Sequence, residues 1–303
     1  MSEKYETIVP SEPDAGERLQ WVSWLRSAAP YVHLHHGRTF VISFAGEVVA
    51  DKTLLNHLVM DVSLIASMGM RVVLVHGSRP QIEELMGLRK LEGQFYKGVR
   101  ITGPQELECV KEACGETRFD IEAAFSQGLP NTPMQHSRIK VVSGNFVTAR
   151  PMGIIDGVDY LHTGVVRKVD AESIQDLLSR GNIVLVSPTG FSPTGEAFNL
   201  TTEDVATAIA VAIHADKLIL SVGVDGVRVR GEKQQDLTAQ QAQALIQSKQ
   251  VDDEDVYNLG YALRAIKGGV DRVHIVPYAM DGGILTELFT HDGKYGVATR
   301  GHN

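Results

Sequence analysis

From Thr39 onward, short runs rich in β-branched residues alternate with longer stretches whose apolar residues recur at helical spacing. The pattern predicts strands over 39–44, 71–75, 165–169, 183–186, 217–222 and 272–275. It predicts helices over 54–68, 106–125, 171–180, 202–215, 239–248 and 255–267, with another starting over 80–87. A strand followed by a helix and a further strand needs a crossover connection. Such an alternation therefore builds a mostly parallel sheet with helices on both faces, the α/β three-layer class. One hairpin is expected within it, 139–142 and 145–148 across Ser143-Gly144. Strand 183–186 is expected to open a second half of the chain.

Composition narrows the class further. With 303 residues, 43% of them hydrophobic, the chain is long enough to bury a large core. A net charge of −8 argues against a general nucleic-acid or anionic-membrane surface. The two cysteines, Cys109 and Cys114, fall within one predicted helix, which argues for packing rather than a disulfide framework. No apolar run approaches membrane-spanning length, and residues 1–13 lack the order of a signal peptide, so a cytoplasmic location is expected.

Residues 1–14, with Pro10, Pro13 and several acids, read as a loose tail. Between Ala15 and His35, the residues Leu19, Val22, Trp24, Leu25, Ala28, Ala29 and Val32 fall at mostly helical spacing, and Pro30 predicts a bend or break. A helix ahead of the first strand either packs on its own domain or serves as an arm onto another subunit.

The chemistry-bearing motifs begin with exclusions. There is no P-loop, no G-x-G-x-x-G after a strand, no nucleophile elbow and no H-E-x-x-H. What remains is Val73-Leu-Val-His76-Gly77-Ser78-Arg79-Pro80, a strand running through a glycine turn into a helix start, where backbone N–H groups favour an anion and Arg79 adds charge. Val41-Ile42-Ser43-Phe44-Ala45-Gly46 has the shape of a second ligand-cradling turn but carries no cation. Arg100 precedes a helix, where it either forks a carboxylate or is a plain surface arginine. Phe198 to Asp204 reads as a helix start with Thr201 or Thr202 as the cap. His33, His35 and His36 lack accompanying acids or cysteines and read as a loop at a helix end; no metal site is expected.

Five runs occur in one order and spacing: His76-Gly77, Gly98-Val-Arg100-Ile-Thr, Asn199-Leu-Thr, Ala215-Asp-Lys217-Leu-Ile-Leu and Arg272-Val-His274-Ile. In this the chain resembles the amino acid kinase family over about residues 25–293. Three longer runs (His76-Gly-Ser-Arg-Pro-Gln-Ile, Val141 to Pro151 and Gly157-Val-Asp-Tyr-Leu-His-Thr-Gly) resemble the amino-acid-kinase domain of the bacterial N-acetylglutamate synthases, relatives of acetylglutamate kinase. The resemblance implies the carbamate kinase-like αβα sandwich. It implies a tail and oligomerisation helix over 1–36 and a kinase-like domain over 37–303, with an N-lobe to about 180 and a C-lobe beyond.

The departures from that pattern bear on activity. Where active kinases of the family place a lysine before the first glycine turn, this chain has Ser43. A second phosphate lysine falls at Arg264, the acid after the asparagine motif at Glu203, and the triple-glycine turn at Gly77-Ser78-Arg79. Phosphoryl transfer rests on placed positive charge, so the resemblance implies a vestigial pocket of Gly77, Ser78, Arg79, Arg100 and Asn199 with the kinase chemistry lost. No acetyltransferase domain is expected in this chain, so acetyl-CoA would bind elsewhere in a parent polypeptide. Arginine-sensitive members bind their effector beside a mobile N-terminal helix that joins dimers into a hexamer. Their contacts carry over to Tyr31, Lys217, His274, Glu287 and Gly293. Read alone, Lys217 is a strand-edge charge and Glu287 a helix-surface acid. The expected function is therefore arginine sensing within an N-acetylglutamate synthase. The alternatives are an active acetylglutamate kinase using Arg79 or Arg264 as substitute cations, and a purely structural hexamerisation module.

Overall fold

The computed structural model describes residues 15–127, 139–223, 227–229, 232–234, 236–248, 250–289 and 297–300. The tail over 1–14 and Gly293 lie outside the described residues.

Eight strands form the central sheet, in the spatial order Asp236–Thr238, Val297–Arg300, Arg272–Pro277, Lys217–Val222, Thr39–Phe44, Arg71–His76, Ile183–Val186, Val141–Ser143. Every neighbouring pair is parallel except Arg272–Pro277 with Val297–Arg300. The apolar runs are nearly continuous because both faces are covered. Val41, Val73, Val75, Val184 and Leu218 face helices Ala171–Ser179, Thr202–Ala212 and Asp253–Lys267. Phe40, Ile42, Phe44, Leu74 and Ile219 face helices Lys52–Ser67, Pro104–Ser126 and Gly283–Phe289. Three helices begin on aspartate caps: Asp51 accepts from Thr53 N at 2.8 Å, Asp170 from Ser173 N at 3.1 Å and Asp252 from Asp255 N at 2.8 Å. Each such cap contributes about 1 kcal/mol. The helix Thr202–Ala212 differs, since Thr201 stands at its N-cap without a side-chain hydrogen bond.

The three-layer expectation holds, and the local readings are corrected in three places. The expected hairpin does not form. Val141–Ser143 pairs parallel to Ile183–Val186, and the chain then leaves for a second, four-stranded sheet, where Val147–Pro151 lies antiparallel to Gly164–Val169. A Cβ at Gly144 would sit 2.8 Å from the Phe146 ring, so this glycine admits a buried ring rather than closing a two-residue turn. Ile183–Val186 does not begin a separate half either, because it inserts between Arg71–His76 and Val141–Ser143. Finally, helix Ala15–His35 runs unbroken through Pro30. A helical proline costs about 3 kcal/mol in an isolated helix interior. Here the last turns are held by tertiary contacts: Ala28 is buried, and Tyr31 and Val32 pack on the Phe40 face of the sheet. Upstream, Leu19, Trp21, Trp24 and Leu25 are exposed, so this part of the helix reaches away from its own core.

Candidate functional site

Two sites lie at opposite ends of the parallel strands. The first gathers around the start of Lys217–Val222. In the parallel register Phe40, Lys217 and Arg272 lie side by side, and Ile219 pairs with His274. Paired residues point to one face, and a strand returns to that face every second residue. Lys217 and His274 therefore share the face that carries Phe40 and Ile219, the one covered by helix Gly283–Phe289. From that helix Glu287, only 6% exposed, presents Oε1 to His274 Nδ1 at 2.8 Å. The carboxylate accepts, so Nδ1 holds the proton. Nε2 is then left as a buried acceptor without a hydrogen-bond partner among the described residues.

Charge is arranged along this site. Burial, and then Arg272 beside it, bring the Lys217 ammonium down to about 8 against the upward pull of Glu287. Burial also lowers His274, with Glu287 pulling the other way. The ring is thus neutral, held against the Glu287 carboxyl. Lys217 Nζ stands 5.9 Å from the Phe40 ring centroid. A cavity of about 1430 Å³ opens beside Lys217, lined by Leu34, His35, Lys217 and Arg272 and, for the larger part, by residues of helices Ala239–Ser248 and Asp253–Lys267 and the turn that follows; the buried His274 and Glu287 do not line it. Tyr31 packs on the same apolar cluster as Phe40 and Leu288. Four of the five residues expected to hold an effector thus converge on one face of the sheet. The surface reading of Glu287 is corrected, because its helix turns that side inward.

The second site lies at the other strand ends. Ser43 is buried, paired with Val75 and Leu220. Gly77 N donates to Phe44 O at 2.7 Å, and a Cβ on Gly77 would fall 2.8 Å from Gly46 N, so the two glycine turns are in direct contact. Between them His76 is wholly buried, its pKa lowered to about 4 by desolvation, with Nε2 2.8 Å from Ser187 Oγ and Nδ1 3.2 Å from Ser78 Oγ. The cations nearby are already engaged. Arg79 donates to Glu83 at 3.1 Å, and Arg100 donates to the same Glu83 oxygen at 3.2 Å while stacking over Phe95 at 4.6 Å. Arg100 is therefore buried, against its reading as a surface residue. Asn199 Nδ2 donates to Thr102 Oγ1 at 3.0 Å, within a chain through Thr163 Oγ1 to Arg100 O. Arg264 is bound to Asp204 at 2.6 Å and stacks on Tyr261 at 5.1 Å. Burial raises Glu203 above the ordinary carboxylate range. Sequence reasoning missed Glu83 and Asp204, the carboxylates that engage these arginines: Arg79 and Glu83 stand at the legible i,i+4 spacing of one helix, whereas Arg100–Glu83 and Arg264–Asp204 join separate elements that no spacing marks. Among the described residues no group of three His, Cys, Asp or Glu side chains is placed to hold a metal.

A parallel sheet between two helical layers, with glycine turns at the strand ends, defines a doubly wound α/β protein with a ligand cleft. The amino acid kinase family profile matches residues 38–277, and the chain belongs to that family. It is 54% identical over 282 residues to an amino-acid acetyltransferase of Ralstonia nicotianae, an alignment that covers 93% of this chain and 62% of that protein. It superposes with a TM-score of 0.84 and 34% identity on N-acetylglutamate synthase from Neisseria gonorrhoeae complexed with coenzyme A and L-arginine, covering 93% of this chain and 66% of that one. Carbamate kinase from Giardia lamblia, 14% identical at a TM-score of 0.66, shares the fold alone. The chain thus spans just under two thirds of the length of the synthase-type relatives. Among the described residues no helix is long and apolar enough to cross a membrane.

Proposed function

We propose that the chain is the arginine-binding regulatory domain of an N-acetylglutamate synthase. The parent polypeptide would transfer the acetyl group of acetyl-CoA to L-glutamate, the first step of arginine biosynthesis, in the cytoplasm. The observation that carries the reading is the pair of buried acceptors, His274 Nε2 and the Glu287 carboxylate, beside the Lys217 ammonium. A guanidinium brings five donors and a fixed positive charge to such acceptors, while an ammonium meets an α-carboxylate. Arginine has both ends. Tyr31 and Gly293 complete the set we assign to the effector. The likeness to a synthase complexed with L-arginine supports the same choice.

Phosphoryl transfer is assigned as lost. Ser43 brings no charge to its turn, Arg79 and Arg100 are engaged by Glu83, and Arg264 by Asp204. Acetyl transfer is assigned to the part of the longer relatives that this chain does not span. The exposed Trp21, Trp24 and Leu25 fit an arm joining dimers into a hexamer, since exposed apolar patches mark interfaces.

Isothermal titration calorimetry with L-arginine and with citrulline tests the reading. Arginine should bind with a defined stoichiometry and citrulline, which lacks the charge, far more weakly. Equal binding of both would overturn it. Product formation from N-acetylglutamate and MgATP would instead establish an active kinase, and a hexamer blind to arginine a structural module.

A further inference from the structure

The cavity beside the strand starts is cationic: Lys217, Lys267 and Arg272 line it. Arg38 and Asp216 line it too, but engage each other at 2.7 Å, which leaves Asp271 as the other acid of the lining. An anion entering this space therefore meets an excess of positive charge. Lys217 differs from an ordinary surface lysine. Its Nζ stands 5.9 Å from the Phe40 ring centroid and makes no hydrogen bond or salt bridge among the described residues. Its pairing with Arg272 in the parallel register sets the two side chains next to each other on one face. Burial, and then Arg272, lower the ammonium to about 8, against Glu287 of the covering helix and the neighbouring Asp216. The imidazoles nearby, His35 and His274, are themselves lowered and neutral. At pH 7.5 about a quarter of Lys217 is then free amine, against about one in a thousand for a solvent-exposed lysine.

We propose that Lys217 is an acylation site, whose amine takes an activated acetyl group from a phosphate-bearing donor drawn into this cavity. The neutral amine attacks the acyl carbon, and a C–N bond forms. The C–S bond of a coenzyme A thioester, or the C–O bond of an acyl phosphate, breaks. The thiolate or phosphate leaves with the electron pair, and the proton of the amine passes to water. Lys267 and Arg272 attract the donor's phosphate, and Arg272 brings positive charge to the oxyanion of the addition step. The product amide is uncharged, so acetylation and the carboxylate of the effector compete for this residue. That consequence alone rests on the effector reading above.

The test uses the full chain at pH 7.5, with acetyl phosphate in one arm and acetyl-CoA in the other. Peptide mass spectrometry reads the acetylated fraction of each lysine over time. With at least one donor, Lys217 should react roughly tenfold faster than the exposed Lys52 and Lys90, its lower basicity taking back part of the gain in free amine. The donor that labels faster identifies the source. The Lys217 rate should level off above about pH 8, while Lys52 and Lys90 keep accelerating. In urea the preference should vanish. Arg272→Gln should slow Lys217 at pH 7.5 and move its plateau to higher pH, with Lys52 and Lys90 unchanged. Equal labelling of the three lysines by both donors overturns the proposal, and so does a preference that survives in urea. Saturating L-arginine should slow Lys217 alone. Preferential labelling that arginine leaves unprotected refutes the effector position, with the acylation site standing.

Discussion

His274 and Glu287 meet through Nδ1 and Oε1 at 2.8 Å, both side chains almost wholly buried, on a strand and a helix that are joined by a short connection. The pair fixes the imidazole as a neutral donor through Nδ1. Glu287→Gln keeps the acceptor for His274 and removes the charge. The ligand-free melting temperature should change little. Arginine at 100 times its Kd stabilises by about 2.7 kcal/mol, or roughly 4 °C for a chain of this size. That shift should largely disappear in Glu287→Gln, as read by differential scanning calorimetry.

Lys217 gives the site a pH dependence. Its ammonium, lowered to about 8 by burial and Arg272, is the charge proposed for the ligand carboxylate. Below pH 8 it is protonated before the ligand arrives, so affinity should be flat. Above pH 8 the proton must first be taken up, and affinity should fall up to tenfold per pH unit. Lys217→Met should bind at least tenfold more weakly at pH 7, and any slope that it retains belongs to the ligand's own amino group. Titrations from pH 6.5 to 9.5 measure both.

Asp61, buried on helix Lys52–Ser67, has its carboxyl raised to about 7, chiefly by desolvation and then by Asp281. The folded state therefore holds a proton that the unfolded chain releases near pH 4. Stability is lost as pH rises from about 4 to 7 and is level above that. Asp61→Asn removes the ionisation. It should melt a few degrees above the parent at pH 8, and the gap should close toward pH 4. An equal gap at both pH values would contradict this account.

Trp21 and Trp24 are 63% and 57% exposed. Changing both to serine should leave the melting temperature of the subunit within a degree or two, because exposed side chains contribute little to folding. In sedimentation velocity the hexamer proposed above should be reduced to dimers in the same double variant. An unchanged mass would assign these side chains to another surface.

Much of this architecture was legible in the chain. Val41, Val73 and Val75 alternate with Phe40, Ile42 and Leu74 along runs apolar on both faces, and only a sheet buried on both sides accommodates that. Lys217, His274 and Glu287 were proposed from family resemblance alone, and no local pattern marks the buried contact of His274 with Glu287. The Ser143-Gly144 turn misled because a glycine that admits the buried Phe146 ring looks, in one dimension, like one that closes a hairpin.

The sequence by itself determined the layer order, the parallel sheet and the absence of a lysine at Ser43, since each follows from periodicity or from residue identity. Tertiary structure alone decided which charges remain available. Glu83 is shared with Arg100 from a separate strand, Asp204 holds Arg264, and His35 reaches Leu288 across nearly the whole length of the chain. Such pairings depend on distances between elements, and burial sets both their strength and their protonation. Neither is encoded in local spacing, so they appear only when the helices close over the sheet.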